Sequence, residues 1–130
     1  MRMIESDQEN NDAEVNWEDQ QKINEFSKLN TRMRAFEAKL DLVKQEKDAL
    51  DDLSTELELA DEDELVLYKI GESFLHLPLN RALKRLEADQ ADVDARLSKL
   101  SGSSQECEED MKKLKVALYA KFGSAINLDE

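Results

Sequence analysis

Apolar residues recur every seven positions in two long stretches of this sequence. In the first stretch the two rows are Phe26, Met33 and Leu40, and Leu29, Phe36, Val43, Leu50 and Leu57. In the second they are Leu83, Leu97, Met111 and Leu118, and Leu79, Leu86, Val93, Leu100, Cys107 and Leu114. Such heptads predict helices that pair along a narrow apolar stripe. We predict helices over residues 17–59 and 80–122, which are equally long and can pair antiparallel from end to end.

The segment LVLYKIGESFLHLP, residues 65–78, interrupts this helical pattern after an acidic linker that begins at residue 60. Its Gly71-Glu72 pair suits a two-residue turn between two strands. Both faces of such a hairpin would be apolar, and an isolated hairpin is marginally stable in water. Because no partner within the chain is expected, we predict that similar hairpins of other subunits cover it. The predicted assembly residues are Leu65, Val66, Leu67, Tyr68, Ile70, Gly71, Phe74, Leu75 and Leu77.

The predicted fold is mainly α, a long antiparallel helical coiled-coil hairpin with one β-hairpin between the helices. Residues 1–15 are polar and acidic and are expected to form a disordered arm before a domain over residues 16–130. Asn16, followed by Asp19, can cap the first helix.

Apolar and aromatic residues gather where the first helix begins and the second ends, and the segment 123–130 follows a helix stop at Gly123. Two helix ends are not expected to bury them all, and an exposed apolar patch marks a binding surface. The candidate binding residues are Trp17, Ile23, Phe26, Leu118, Tyr119, Phe122, Ile126 and Leu128. For Ile23, Phe26, Leu118 and Phe122 the alternative is that they pack one helix against the other.

The formal net charge is −13, and most of it lies in residues 1–20 and 58–64. No segment has the clustered basic surface that phosphate binding needs, so nucleic acid is not expected as a partner. No stretch approaches the roughly 20 apolar residues of a membrane span, and the N-terminus lacks the apolar region of a signal peptide, so no membrane partner is expected. One Cys and one His suggest neither a metal site nor a catalytic triad. We expect no enzyme and no cofactor, and a buried Cys107 rather than a reactive thiol.

Three segments, WEDQQKINEF (17–26), YKIGESF (68–74) and LYAKFGSAINL (118–128), resemble the prefoldin family, and within it the β-class subunits with one hairpin between two helices. The resemblance covers the chain from about Val15 onward. It implies a heterohexamer with two α-class and three further β-class subunits, whose hairpins build a β-barrel. It also implies an ATP-independent holdase that binds unfolded proteins, including actin and tubulin, at the coiled-coil tips and delivers them to the cytosolic group II chaperonin.

The resemblance implies a cytoplasmic protein, with the nucleus as a second compartment compatible with the sequence. The sequence departs from the family pattern in its N-terminal arm and in SGSS at 101–104. A second hypothesis is a coiled-coil scaffold or adaptor that docks one specific folded partner. The two differ in client breadth, because a holdase suppresses aggregation of unrelated unfolded proteins and an adaptor does not.

Overall fold

The computed structural model of the chain describes residues 2–3 and 14–128. In chain order the elements are β1 (Arg2–Met3), α1 (Trp17–Glu58), β2 (Leu65–Ile70), β3 (Ser73–Pro78), α2 (Leu79–Phe122), a 3-10 helix (Gly123–Ala125) and β4 (Ile126–Asn127). Two long helices with an antiparallel β-hairpin between them confirm the predicted mainly α fold. α1 ends one residue before the predicted boundary, and α2 begins one residue before it.

The chain divides into two compact units. The terminal unit comprises residues 1–38 and 102–130, and the hairpin unit comprises residues 39–101. Each unit contains one part of α1 and one part of α2.

In the hairpin unit, charged side chains join the two helices. Lys47 Nζ lies 2.7 Å from Asp94 Oδ1, and Arg96 lies 2.5 Å from Glu46 Oε2. Apolar row residues such as Val43 and Val93 are buried. Glu46 of α1 pairs with Arg96 of α2, and the next residue of α1, Lys47, pairs with the earlier residue Asp94. The helices of this unit therefore run antiparallel, as predicted.

In the terminal unit, smaller contacts join the helices at the predicted apolar rows. The Cys107 thiol donates to the Leu29 carbonyl at 3.3 Å, and the Ser104 hydroxyl lies 3.6 Å from the Met33 sulfur. These pairs also run in opposite directions along α1 and α2. The heptad pattern therefore predicted the helix faces that pack in this unit as well.

α1 begins with the predicted cap by Asn16, and Asp19 makes this cap reciprocal. The Asp19 backbone N–H donates to Asn16 Oδ1 at 2.8 Å, and the Asn16 backbone N–H donates to Asp19 Oδ2 at 3.2 Å. Two backbone donors at the start of the helix are thereby satisfied.

The predicted disordered arm, residues 1–15, lies outside the described residues at positions 1 and 4–13. Its described part corrects the prediction at Arg2–Met3, which form β1. This strand pairs antiparallel with β4, with Arg2 opposite Asn127 and Met3 opposite Ile126. The physical reason is that the extended backbone of β4 offers N–H and C=O groups that a second strand can satisfy.

β2 and β3 pair around the predicted Gly71-Glu72 turn, with Ile70 opposite Ser73. Gly71 has a φ of 62°, whereas no described non-glycine residue has a positive φ, which is the pattern of a type II′ turn. The register confirms the two predicted sets of side chains. The inner face carries Val66, Tyr68, Ile70, Leu75 and Leu77, and the outer face carries Leu65, Leu67 and Phe74.

The inner face packs against helices of its own chain, which corrects the expectation that no partner is available within the chain. Tyr68 of the inner face is buried in one cluster with Leu57 of α1 and with Leu79, Ala82 and Leu86 of α2. One reason is that α2 begins at the residue after β3, which keeps the hairpin beside the helix. A second reason is that Ala82 is buried in the same cluster as Tyr68, whereas the predicted row residue Leu83 is 42% exposed.

Candidate assembly and client-binding surfaces

The outer face of the hairpin is an exposed apolar surface. Leu65 is 63% exposed, Leu67 52% and Phe74 59%. Lys69 lies opposite Phe74, and His76 lies opposite Leu67. Clustered exposed apolar side chains of this size indicate a protein interface. These three predicted assembly residues are exposed on the outer face, and the predicted residues Gly71 and Leu75 are exposed as well.

The inner-face residues contribute differently to such an interface. Tyr68 is only 1% exposed, because its ring fills the core of the hairpin unit. Val66, Ile70 and Leu77 are half-buried against the same core, and Leu75 remains exposed. Tyr68 therefore supports the hairpin from within its own chain, which differs from the assembly contact predicted for it.

A polar contact holds the Tyr68 ring against α2. The Tyr68 hydroxyl donates to Asp89 Oδ2 at 2.7 Å, and Arg85 Nε lies 3.2 Å from Asp89 Oδ1. Burial and this hydrogen bond to the carboxylate raise the pKa of Tyr68, so the phenol remains protonated as a donor. The sequence offered no signal for this contact, because Tyr68 and Asp89 are far apart along the chain.

A groove of about 440 Å³ runs beside the Tyr68 contact in the hairpin unit. Leu50, Leu53 and Val93 supply apolar walls, whereas Glu46 and Arg96 supply charge. Gly71, in the turn between β2 and β3, also lines this groove. Its mixed walls suit a partner's polar and apolar side chains at the edge of an assembly surface.

The terminal unit contains most of the candidate binding residues in its core. The buried cluster comprises Ile23, Phe26, Leu118, Phe122, Ala125, Ile126 and Leu128, and Tyr119 is half-buried against it. Four of these residues pack one helix against the other, which is the alternative that the sequence analysis gave for them: Ile23, Phe26, Leu118 and Phe122. Trp17 remains 74% exposed at the start of α1.

Ile126 and Leu128 correct the expectation that the chain end leaves apolar residues exposed. Gly123 has a φ of 55°, which turns the chain at the end of α2 so that the following residues return to the helices. Ile126 and Leu128 thereby join the buried apolar cluster of the terminal unit.

An ion pair ties the helix ends of the terminal unit together. The Lys121 ammonium contacts the buried Asp19 carboxylate, and it also lies 5.4 Å from the centroid of the Phe122 ring. The hydrogen bond from Lys121 lowers the pKa of Asp19, and the cap from Asn16 acts in the same direction. The sequence predicted Asp19 in the first turn of α1, beside the Asn16 cap, but not its contact with Lys121.

Because its pKa is lowered on folding, Asp19 is expected to make the terminal unit sensitive to acid. The contribution to stability is complete above the ordinary pKa of 3.8 and is lost as pH falls through the lower pKa of the folded state. We expect Asp19→Asn to lower the stability at pH 7 and to flatten the loss of stability between about pH 5 and pH 2. Far-UV circular dichroism during thermal unfolding at each pH measures this.

Glu18→Gln is the matched control for the acid experiment, because Glu18 is the exposed neighbour of Asp19 in the first turn of α1. It is expected to keep the steep acid dependence of the wild type. An Asp19→Asn profile as steep as the wild-type profile would show that the ion pair with Lys121 does not carry the effect.

Cys107 is a buried thiol on the apolar row, as predicted. Its burial raises the pKa of the thiol, and its S–H donates to the Leu29 carbonyl. We expect maleimide labelling of the native chain to be roughly 100-fold slower than labelling in urea, since reaction requires local opening. A Cys107→Ser/Val116→Cys variant is the control, because position 116 is exposed on α2. Equal labelling rates for the two native proteins would contradict the buried position.

A second groove, of about 550 Å³, lies in the terminal unit. Phe26, Met33, Met111 and Leu128 supply its apolar walls, and charged residues including Lys112 border it. Flexible Met side chains suit surfaces that accept varied apolar partners. The heptad pattern placed Met33 and Met111 on the paired faces of the helices, and it did not indicate that they line a groove.

Two negative findings apply to residues 2–3 and 14–128. Within these ranges no group of three or more His, Cys, Asp or Glu side chains is arranged to hold a metal ion. Neither described helix is both long and apolar enough to cross a membrane.

The sequence and fold match known proteins over most of the chain. Residues 20–125 match the prefoldin subunit family. Prefoldin subunit 4 of Saccharomyces cerevisiae (strain ATCC 204508 / S288c) is 43% identical over 129 residues, covering 99% of both chains. Prefoldin subunit 4 of Homo sapiens is 33% identical over 119 residues, covering 91% of this chain and 89% of the human one.

A solved structure shares the fold of this chain. The crystal structure of the prefoldin beta subunit from Thermococcus strain KS-1 matches with a TM-score of 0.75 over 85% of this chain and 96% of the archaeal chain. At 14% identity this match shows the shared fold of two long helices and a hairpin. Because the family match covers most of the chain and full-length relatives align with it, this chain belongs to the prefoldin family and is a subunit of that co-chaperone.

Proposed function

We propose that the chain joins two α-class and three further β-class prefoldin subunits through the outer face of its hairpin. The observation that carries this proposal is the exposure of Leu65, Leu67 and Phe74 on a hairpin whose inner face packs through Tyr68 against its own chain. Within the described residues, β2 and β3 form a two-stranded sheet, so their outer edges are available to strands of neighbouring subunits. Strand pairing would satisfy these edges and bury the outer face in a shared β-barrel.

The proposed activity of the assembled complex is to hold unfolded proteins, including actin and tubulin, and to deliver them to the cytosolic group II chaperonin. The role is one of binding, without ATP, a cofactor or a catalytic step. Membership of the prefoldin family and the apolar cluster of the terminal unit support this proposal. We propose the cytoplasm as its location, with the nucleus as a second compartment.

The test combines assembly and client protection. The chain is co-expressed with the other prefoldin subunits of the same organism, and native mass spectrometry is expected to give one hexamer with a single copy of each. Light scattering of unfolded actin and of an unrelated unfolded protein is then followed with the complex, with and without ATP. We expect both aggregation reactions to be suppressed equally in the two conditions.

Other outcomes would contradict the proposal in distinct ways. A stable homodimer that ignores the other subunits and leaves unfolded proteins to aggregate would favour the scaffold or adaptor hypothesis. Suppression that requires ATP would contradict the ATP-independent mechanism.

A further inference from the structure

The segment 123–128 packs against α1 and α2 within the terminal unit, and its last residues are extended. Ile126 has φ −128° and ψ 140°, which is extended backbone. Ile126 and Leu128 are each 3% exposed, whereas Asn127 between them is exposed. This is the alternation of a strand with one buried face. The surface beneath the segment therefore accommodates an extended peptide with aliphatic side chains at alternate positions.

Both helices supply buried apolar side chains to that surface. Ile23 and Phe26 come from α1, and Leu118 and Phe122 come from α2. Without the segment these side chains would present a contiguous apolar patch, bordered by the ion pair of Asp19 and Lys121. An apolar patch with a charged border is the usual form of a protein-binding surface.

The attachment of the segment to this surface is local. It consists of a three-residue 3-10 helix, the two-residue pairing of β4 with β1, and the contacts of the buried side chains. The turn also depends on Gly123, whose φ of 55° is unfavourable for other residues. Short elements of this kind open more readily than the helices that carry them.

We propose that this surface is the client-binding site of the subunit, that it accepts extended polypeptide segments with aliphatic side chains at alternate positions, and that residues 123–128 compete with the client for it. The inference rests on the proposed holdase function and adds to it the pattern of the client and the means of regulation. A client segment replaces Ile126 and Leu128 on the helices, and the displaced segment enters water. The competition lowers the apparent affinity for every client segment by the same factor, which is the fraction of the subunit in which the surface is open.

Two variants weaken the segment by independent means. Ile126→Ser/Leu128→Ser removes its apolar contacts and leaves the helical surface unchanged. Gly123→Ala keeps every apolar side chain but strains the turn, around which there is open space for the added methyl group. Val116→Ser is the matched control, because Val116 is an exposed apolar residue of α2 in the same unit.

The measurement uses each variant in the full complex with the other prefoldin subunits. Fluorescence anisotropy follows a labelled peptide with three copies of Ala-Ile-Asn-Leu, which places aliphatic residues at alternate positions. A peptide with three copies of Ala-Asn-Ile-Leu has the same composition without the alternation. We expect both segment variants to bind the alternating peptide about tenfold more tightly than the wild type. Val116→Ser should match the wild type, and the permuted peptide should bind more weakly to all proteins.

The possible results separate this inference from the proposed function. If both segment variants bind the alternating peptide no better than the wild type while all complexes suppress aggregation of unfolded actin, the competition is wrong and the holdase function stands. Equal affinity for the two peptides would reject the alternating pattern. If no complex binds peptide or suppresses aggregation, the holdase function itself fails. Native mass spectrometry and far-UV circular dichroism establish that each variant is folded and assembled.

Discussion

Phe74→Asp is expected to abolish assembly with the other prefoldin subunits while leaving the helices of this chain intact. Phe74 is exposed on the outer face opposite Lys69, so in the free chain the new carboxylate stays in water beside a cation. In a shared β-barrel the same carboxylate would be desolvated at a cost of several kcal/mol. Since about 1.4 kcal/mol corresponds to a factor of ten, the association constant should fall by at least about 100-fold.

Leu42→Asp is the matched control for this prediction. Leu42 is an exposed leucine of α1 in the hairpin unit, and it lies outside the hairpin itself. Native mass spectrometry should detect the complex for Leu42→Asp and only unassembled chain for Phe74→Asp, with similar far-UV circular dichroism for both. Assembly of Phe74→Asp at the wild-type yield would mean that another surface joins the subunits. Ile70→Asp is less informative, because Ile70 is half-buried against its own chain.

Tyr68→Ala is expected to lower the free energy of unfolding of the isolated chain by about 3–5 kcal/mol. Tyr68 is among the largest fully buried side chains of the described structure, and its loss leaves a cavity among Leu57, Ala82 and Leu86. A typical domain is stable by only about 5–15 kcal/mol, so the hairpin should separate from the helices in this variant. Urea unfolding followed by circular dichroism measures the loss.

Tyr68→Phe separates the contribution of the ring from that of the hydroxyl. It removes the hydrogen bond to Asp89 but keeps the ring, and Asp89 retains its contact with Arg85. We expect a loss of about 1 kcal/mol. Hydrogen exchange of the β2 and β3 amides should rise strongly in Tyr68→Ala and only slightly in Tyr68→Phe. If the two variants lose equal stability, the hydroxyl rather than the ring holds the hairpin.

Periodic patterns made most of the fold predictable. The heptads located the packed faces of α1 and α2, because a helix pairs along whichever stripe is apolar, independently of its distant partners. Gly71 located the hairpin turn through its tolerance of positive φ, and Asn16 with Asp19 located the start of α1. Each of these signals is carried by residues that are neighbours in the sequence.

The candidate surfaces were less predictable, because burial depends on contacts between distant residues. Both faces of the hairpin are apolar in the sequence, and nothing in their spacing indicates that Tyr68 packs against Ala82 and Asp89 while Phe74 remains exposed. Likewise Trp17 and Leu128 are both apolar residues near helix ends, yet one is exposed and the other is buried.

By itself the sequence determined the two helices, the hairpin and its register, and the family, since local periodicity, turn residues and motifs specify these features. Only the tertiary structure decided which apolar residues remain available to partners. It assigned the inner face of the hairpin to the chain's own core, paired Lys121 with Asp19, and returned Ile126 and Leu128 to the helices. The physical reason is that a side chain becomes buried when a surface of complementary shape and charge reaches it, and that surface comes from residues remote in the chain.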